Sequence, residues 1–176
     1  MATYVYTESR IMPKQAIGSI VSTTAAVPVG TIVRAKDATL GEGEFIYLPT
    51  TASISAGNIC SFRQVGSGAY TNVRTVSGAS SGQPIAVAMV SGAASCFGWF
   101  QISGTHTAVL KTAVIFSANK PCYVSTTAGR IRQVASTGRG IVGMVSLGKG
   151  NAAGSANASA VSTVVCTFNR PAQMAS

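Results

Sequence analysis

Carboxylates and imidazoles are nearly missing from this chain. Across 176 residues there are four acids, Glu8, Asp37, Glu42 and Glu44, and one histidine, His106. Three of the four acids crowd into residues 37–44, and none occurs from Phe45 to Ser176. Most enzymes move protons and stabilise charge with convergent carboxylates, imidazoles or metal ligands. A carboxylate pair or an acidic metal cage is therefore ruled out over most of the chain, and no enzyme activity and no cofactor are expected.

Other scarcities narrow the class. Charged residues make up 10% of the chain, against about 25% in an average globular protein. No run approaches the ~18 apolar residues of a membrane helix, and MATYVYTESR at the start lacks the apolar core of a secretory signal. Neither a membrane span nor export is expected, and the protein is expected to be made in the cytosol. Cys60, Cys96, Cys122 and Cys166 are far apart with no C-x-x-C spacing, which argues for reduced core residues over a zinc or redox site. Glycine-rich phosphate loops ahead of a helix are absent as well.

What is present is β-forming. Short runs rich in Val, Ile, Thr, Phe and Tyr alternate with Gly, Asn, Ser and Pro, a pattern of all-β proteins. Strands are expected near 3–6, 18–21, 31–36, 44–48, 58–63, 72–76, 84–89, 98–102, 108–111, 122–125, 130–134, 140–147 and 162–168. The fold class is an all-β sandwich or barrel, jelly-roll-like, of about eight to ten strands, since doubling or closing a sheet manages its exposed edges. Residues 1–30 read as an N-terminal arm or edge strands, 31–170 as the β-rich domain, and 171–176 as a frayed tail. GKGNAAGSANAS (148–159) reads as a long Gly/Ala/Ser surface loop.

Three segments, VPVGTIV (27–33), ISAGNIC (54–60) and IFSANKPCYV (115–124), share a turn-like pattern. In each, a Gly or Asn can take a positive φ and feed the strand that follows. In FGWFQISG (97–104) strand alternation puts Phe97 and Trp99 on one face and Phe100 and Ile102 on the other. Apolar residues on both faces mark a central or covered strand, so Phe97, Trp99 and Phe100 are expected in the core. The alternation G-E-G-E puts Glu42 and Glu44 on one side, fitting a salt bridge to a neighbouring subunit better than a metal site. His106, in SGTHTAV, reads as a turn residue. Arg130 and Arg132 read as a solvated strand edge that discourages strand addition.

Thirteen Lys and Arg give a net charge of +9, dispersed along the chain without a basic run, so nucleic acid is a disfavoured partner. The scarcity of surface charge, made up by Ser, Thr, Asn and Gly, suits a surface partly covered by neighbours.

GEGEFIYLP (41–49), FGWFQISG and NKPCYVSTTAGRI (119–131), in that order and spacing, resemble the small β-rich decoration, or cement, proteins of tailed-phage heads, over roughly residues 31–170. The resemblance implies a structural virion protein on the capsid exterior. Its partners would be the major capsid protein and itself, as a homotrimer or homodimer, bracing the shell against internal DNA pressure. The contacts expected on this reading are Glu42, Glu44, Arg10 and Lys14 of the arm, and Lys149 and Asn151 of the loop. The alternatives are another virion subunit (major coat, tail tube or head fibre) and a basic nucleic-acid-binding β-barrel.

Overall fold

A computed structural model describes residues 4–6, 15–19, 22–65, 69–74, 82–112, 116–135, 137–148 and 162–174. They form eleven strands and, among the described residues, no helix. In chain order the first six are β1 (Val5–Tyr6), β2 (Ile32–Asp37), β3 (Gly41–Thr50), β4 (Ile59–Val65), β5 (Ala69–Arg74) and β6 (Ile85–Ala88). The rest are β7 (Cys96–Lys111), β8 (Lys120–Val124), β9 (Ile131–Arg132), β10 (Gly140–Ser146) and β11 (Ser162–Gln173). The all-β expectation holds, and all strands belong to one sheet.

β7, sixteen residues long, organises the molecule. Its first half pairs with β3 and β6, and its second half with β11. From β11 the pairing runs through β10 and β8 to β9, and returns to β7 through Lys111 and Ile131. Strands β7, β11, β10, β8 and β9 thus close on themselves, while β1, β2 and β3 extend the sheet beyond β7 and β6, β4 and β5 branch from it. Every pairing is antiparallel except the short one between β7 and β9.

Period-2 alternation sorts the apolar side chains into three clusters. The first fills the closed ring with Val109, Cys122, Val124, Ile131, Ile141, Met144, Val164, Cys166 and Phe168, joined by Ile59, Ile85 and Val87. The second lies on the other face of β4 and β6, where Cys60, Ala86 and Ala88 meet Ile46, Leu48, Phe100 and Ile102. The third covers the opposite face of β2 and β3, with Val33, Ala35, Phe45, Tyr47 and Trp99 under Ile17. Phe97 packs half-buried against this third cluster. Trp99 and Phe100 are buried on opposite faces of β7, as the alternation requires.

Of the first thirty residues, Val5 and Tyr6 add an edge strand to β2, and Gln15 and Ile17 lie buried on the sheet. The positive φ expected at the three recurring turns is found at Gly30, Gly57 and Asn119, just ahead of β2, β4 and β8. Gly57 is the most constrained of these. A β-carbon there would stand 2.0 Å from the Ala108 carbonyl oxygen, because Gly57 bonds Ala88 on one side and Leu110 on the other.

Three readings of the sequence are corrected. Residues 103–107 are not a turn: Gly104 takes φ +105 and the strand continues, with Gly104, Thr105 and His106 paired to Phe168, Thr167 and Cys166. The 98–102 and 108–111 segments are therefore one strand. The chain does not fray at Pro171, because β11 runs on to Gln173, and Pro171 sits opposite a bulge in β10 where no ladder N–H is required. β9 is bonded on both sides, so Arg130 and Arg132 do not guard an open edge.

Candidate interaction surface

β2 and β3 pair with Arg34 opposite Glu44 and Lys36 opposite Glu42. The strand alternation that buries Phe45 and Tyr47 turns these four side chains outward together. Glu44 then receives two guanidinium groups. Arg34 Nε donates to Oε1 at 3.1 Å, and Arg170 Nε and Nη2 donate to Oε2 at 3.2 Å. Glu44 thus takes part in an intrachain clasp joining β2, β3 and β11. Both arginines are largely exposed, at 61% and 63%, against 16% for Glu44, so the clasp contributes little to stability and much to orientation. Glu42 is exposed beside it. Arg34, Glu42, Glu44, Ser103, Asn169 and Arg170 line a polar cleft of about 470 Å³. Arg10, Lys14, Lys149 and Asn151 lie outside the described residues.

His106 is 8% exposed, and its Nδ1 accepts a hydrogen bond from the Ala108 N–H at 3.1 Å. That bond fixes a neutral ring with the proton on Nε2. Burial pushes the imidazole down from 6.5 to about 4. It shares a cleft of about 330 Å³ with Tyr4, Leu40, Met89 and Thr107, and none of these offers a carboxylate or thiol to make it a general base.

The four cysteines are free and buried. A hydrogen bond with Cys122, together with burial, holds the Cys166 thiol well above its ordinary range, which suppresses the reactive thiolate. Among the described residues no group of three His, Cys, Asp or Glu is placed to hold a metal ion.

The most distinctive surface lies over β8, β10 and β11. Val142 is 59% exposed, Met174 51% and Val145 37%, all on the outer side of the sheet whose inner side buries Ile141, Met144 and Phe168. With Tyr123, Thr167 and Asn169 they line an apolar groove of about 560 Å³. A bulge makes this groove. The β10–β11 register shifts between Val142 and Met144, and the β10–β8 register jumps from Ile141↔Cys122 to Val145↔Pro121. Gly143 permits it with φ +75, and a β-carbon there would stand 2.8 Å from the Asn169 carbonyl oxygen. Sequence reasoning missed this surface. The available signal was a glycine inside the apolar run GIVGMV, which marks a bulge.

Comparison with known protein families, with curated proteins and with solved structures finds no match to this chain.

Proposed function

We propose that this protein is a structural virion subunit that binds the outer surface of a tailed-phage capsid and stabilises the coat lattice, as a homo-oligomer. The observation that carries the reading is the exposed apolar face of β8, β10 and β11. Apolar side chains clustered on the outside of a protein whose interior is already filled mark a surface meant to be covered. The stretch bearing that face has no carboxylate from Phe45 onward, which favours a partner that supplies the negative charge. The three segments that resemble decoration proteins add the identity of the partner, the coat lattice. Repetition over a symmetric shell makes modest individual contacts sufficient.

Sedimentation tests this reading. Purified protein mixed with undecorated heads at low and physiological salt is expected to pellet with them at a fixed ratio to coat protein, with or without excess DNA as competitor. Release of the protein by DNA would favour the nucleic-acid-binding alternative. Rings or tubes formed by the protein alone, with no binding to heads, would favour a tail-tube or coat subunit.

A further inference from the structure

We propose that the cleft at His106 is a binding site for a small aromatic molecule bearing one neutral hydrogen-bond acceptor, such as a ketone. The imidazole N–H holds that acceptor, and the apolar walls hold the ring. The inference goes beyond the capsid reading and does not rest on it.

A bulge builds the site. Between the pairs Cys166↔His106 and Val164↔Val109, β7 advances three residues while β11 advances two. An extra residue of this kind breaks the ladder locally and re-aims the side chains beside it. Ala108, without a registered partner on β11, donates its N–H to His106 Nδ1 at 3.1 Å. That bond pins the ring and leaves its proton on Nε2. Among the described residues nothing accepts a hydrogen bond from this Nε2–H, although His106 is only 8% exposed. The open space that the ring lines is the cleft. A buried donor left without an acceptor is destabilising, and an acceptor brought by a ligand removes that cost.

Size and polarity select the ligand. The cleft holds about 330 Å³. Roughly 150 Å³ suffices for benzene, so one or two rings fit and a polymer does not. Tyr4, Leu40 and Met89 supply half-buried apolar wall, and Ala56 and Thr107 are exposed at the rim. A thioether and a phenol face both suit an aromatic ring. The Tyr4 hydroxyl is spent on the Thr105 carbonyl at 3.2 Å, which leaves the imidazole N–H as the buried donor. An anionic acceptor is disfavoured. Among the described residues no Lys or Arg lines the cleft. Burial, and after it the Asp37 carboxylate, push the Tyr4 phenol up, so the field at this wall is negative.

The test compares acetophenone with α-methylstyrene, which has the same shape and a methylene in place of the carbonyl oxygen. Titration of the full chain is expected to give acetophenone a Kd at or below about 1 mM. It is expected to bind about fivefold tighter than α-methylstyrene, the worth of one hydrogen bond. His106 is the single histidine of the chain, so its Nε2 resonance is assigned without ambiguity. That resonance is expected to move far more with acetophenone than with α-methylstyrene. Ala56→Trp plugs the rim at an exposed position and is expected to abolish binding at an unchanged melting temperature. His106→Asn keeps an acceptor for the Ala108 N–H, but its shorter amide does not reach the Nε2 position. It is expected to bind the two molecules equally. Equal affinities in the parent, an Nε2 resonance that stays in place, or full binding in Ala56→Trp would each overturn the site. No uptake of acetophenone at about 10 mM would assign the N–H to ordered water and overturn it as well.

Discussion

Replacing Trp99 with alanine is expected to cost about 3–5 kcal/mol of folding stability, the range for removing a large aromatic from a core. Since domains of this size hold about 5–15 kcal/mol in total, that is a substantial part of the whole. Trp99 is 1% exposed, and its ring meets Tyr47 edge-on at 5.0 Å. Its Nε1–H donates to the Gln15 carbonyl at 3.0 Å, and the Tyr47 hydroxyl donates to Gln15 Oε1 at 2.8 Å. The Tyr47 hydroxyl also accepts from the Ala26 N–H. The pair of rings therefore ties the chain around Gln15 and Ala26 to β3 and β7, and the alanine variant loses packing and tether together. Trp99→Phe keeps most of the packing and lacks the indole donor, so it is expected to cost only about 1–2 kcal/mol. Urea unfolding of both variants measures the difference. A loss below about 1 kcal/mol in Trp99→Ala would show that Gln15 and Ala26 are not tethered to this face.

Acid is expected to weaken the fold through His106. The folded state holds this imidazole neutral down to about pH 4, whereas the unfolded chain protonates it near 6.5. Between those values the unfolded state binds more protons, so stability is complete above pH 6.5 and falls steadily as pH drops to 4. At full separation the loss is about 3 kcal/mol. Few other groups obscure it, because the whole chain has four carboxylates. His106→Asn keeps an acceptor for the Ala108 N–H and cannot titrate, so its stability is expected to be flat from pH 6.5 to 4. Equal slopes for parent and variant over that interval would place the acid sensitivity elsewhere.

The strands were legible because their signals are local. Alternation within β3 and β7 sorted Phe45, Tyr47 and Trp99 from Ile46, Leu48 and Phe100, and the turn residues Gly30, Gly57 and Asn119 announced the strands after them. Local signals also misled. Ser103–Gly104 resembles a turn in isolation, but the ladder with β11 carries β7 straight through it. Pro171 resembles a stop, yet the bulge in β10 accommodates it. The Glu44 clasp was invisible for a different reason. Arg170 lies 126 residues away, and its approach depends on β3 and β11 both reaching Ser103 of β7. The apolar groove was equally hidden, since the Gly143 bulge breaks the alternation of β10 and leaves Val145 exposed along with Val142 while Met144 is buried.

Electron cryomicroscopy of undecorated heads, imaged before and after addition of the protein, tests the proposed role most directly. The expected result is new β-rich density at symmetry-related positions on the outer surface, with the β8–β10–β11 face turned toward the shell. Added density inside the shell or along a tail, or heads that look the same before and after, would contradict it.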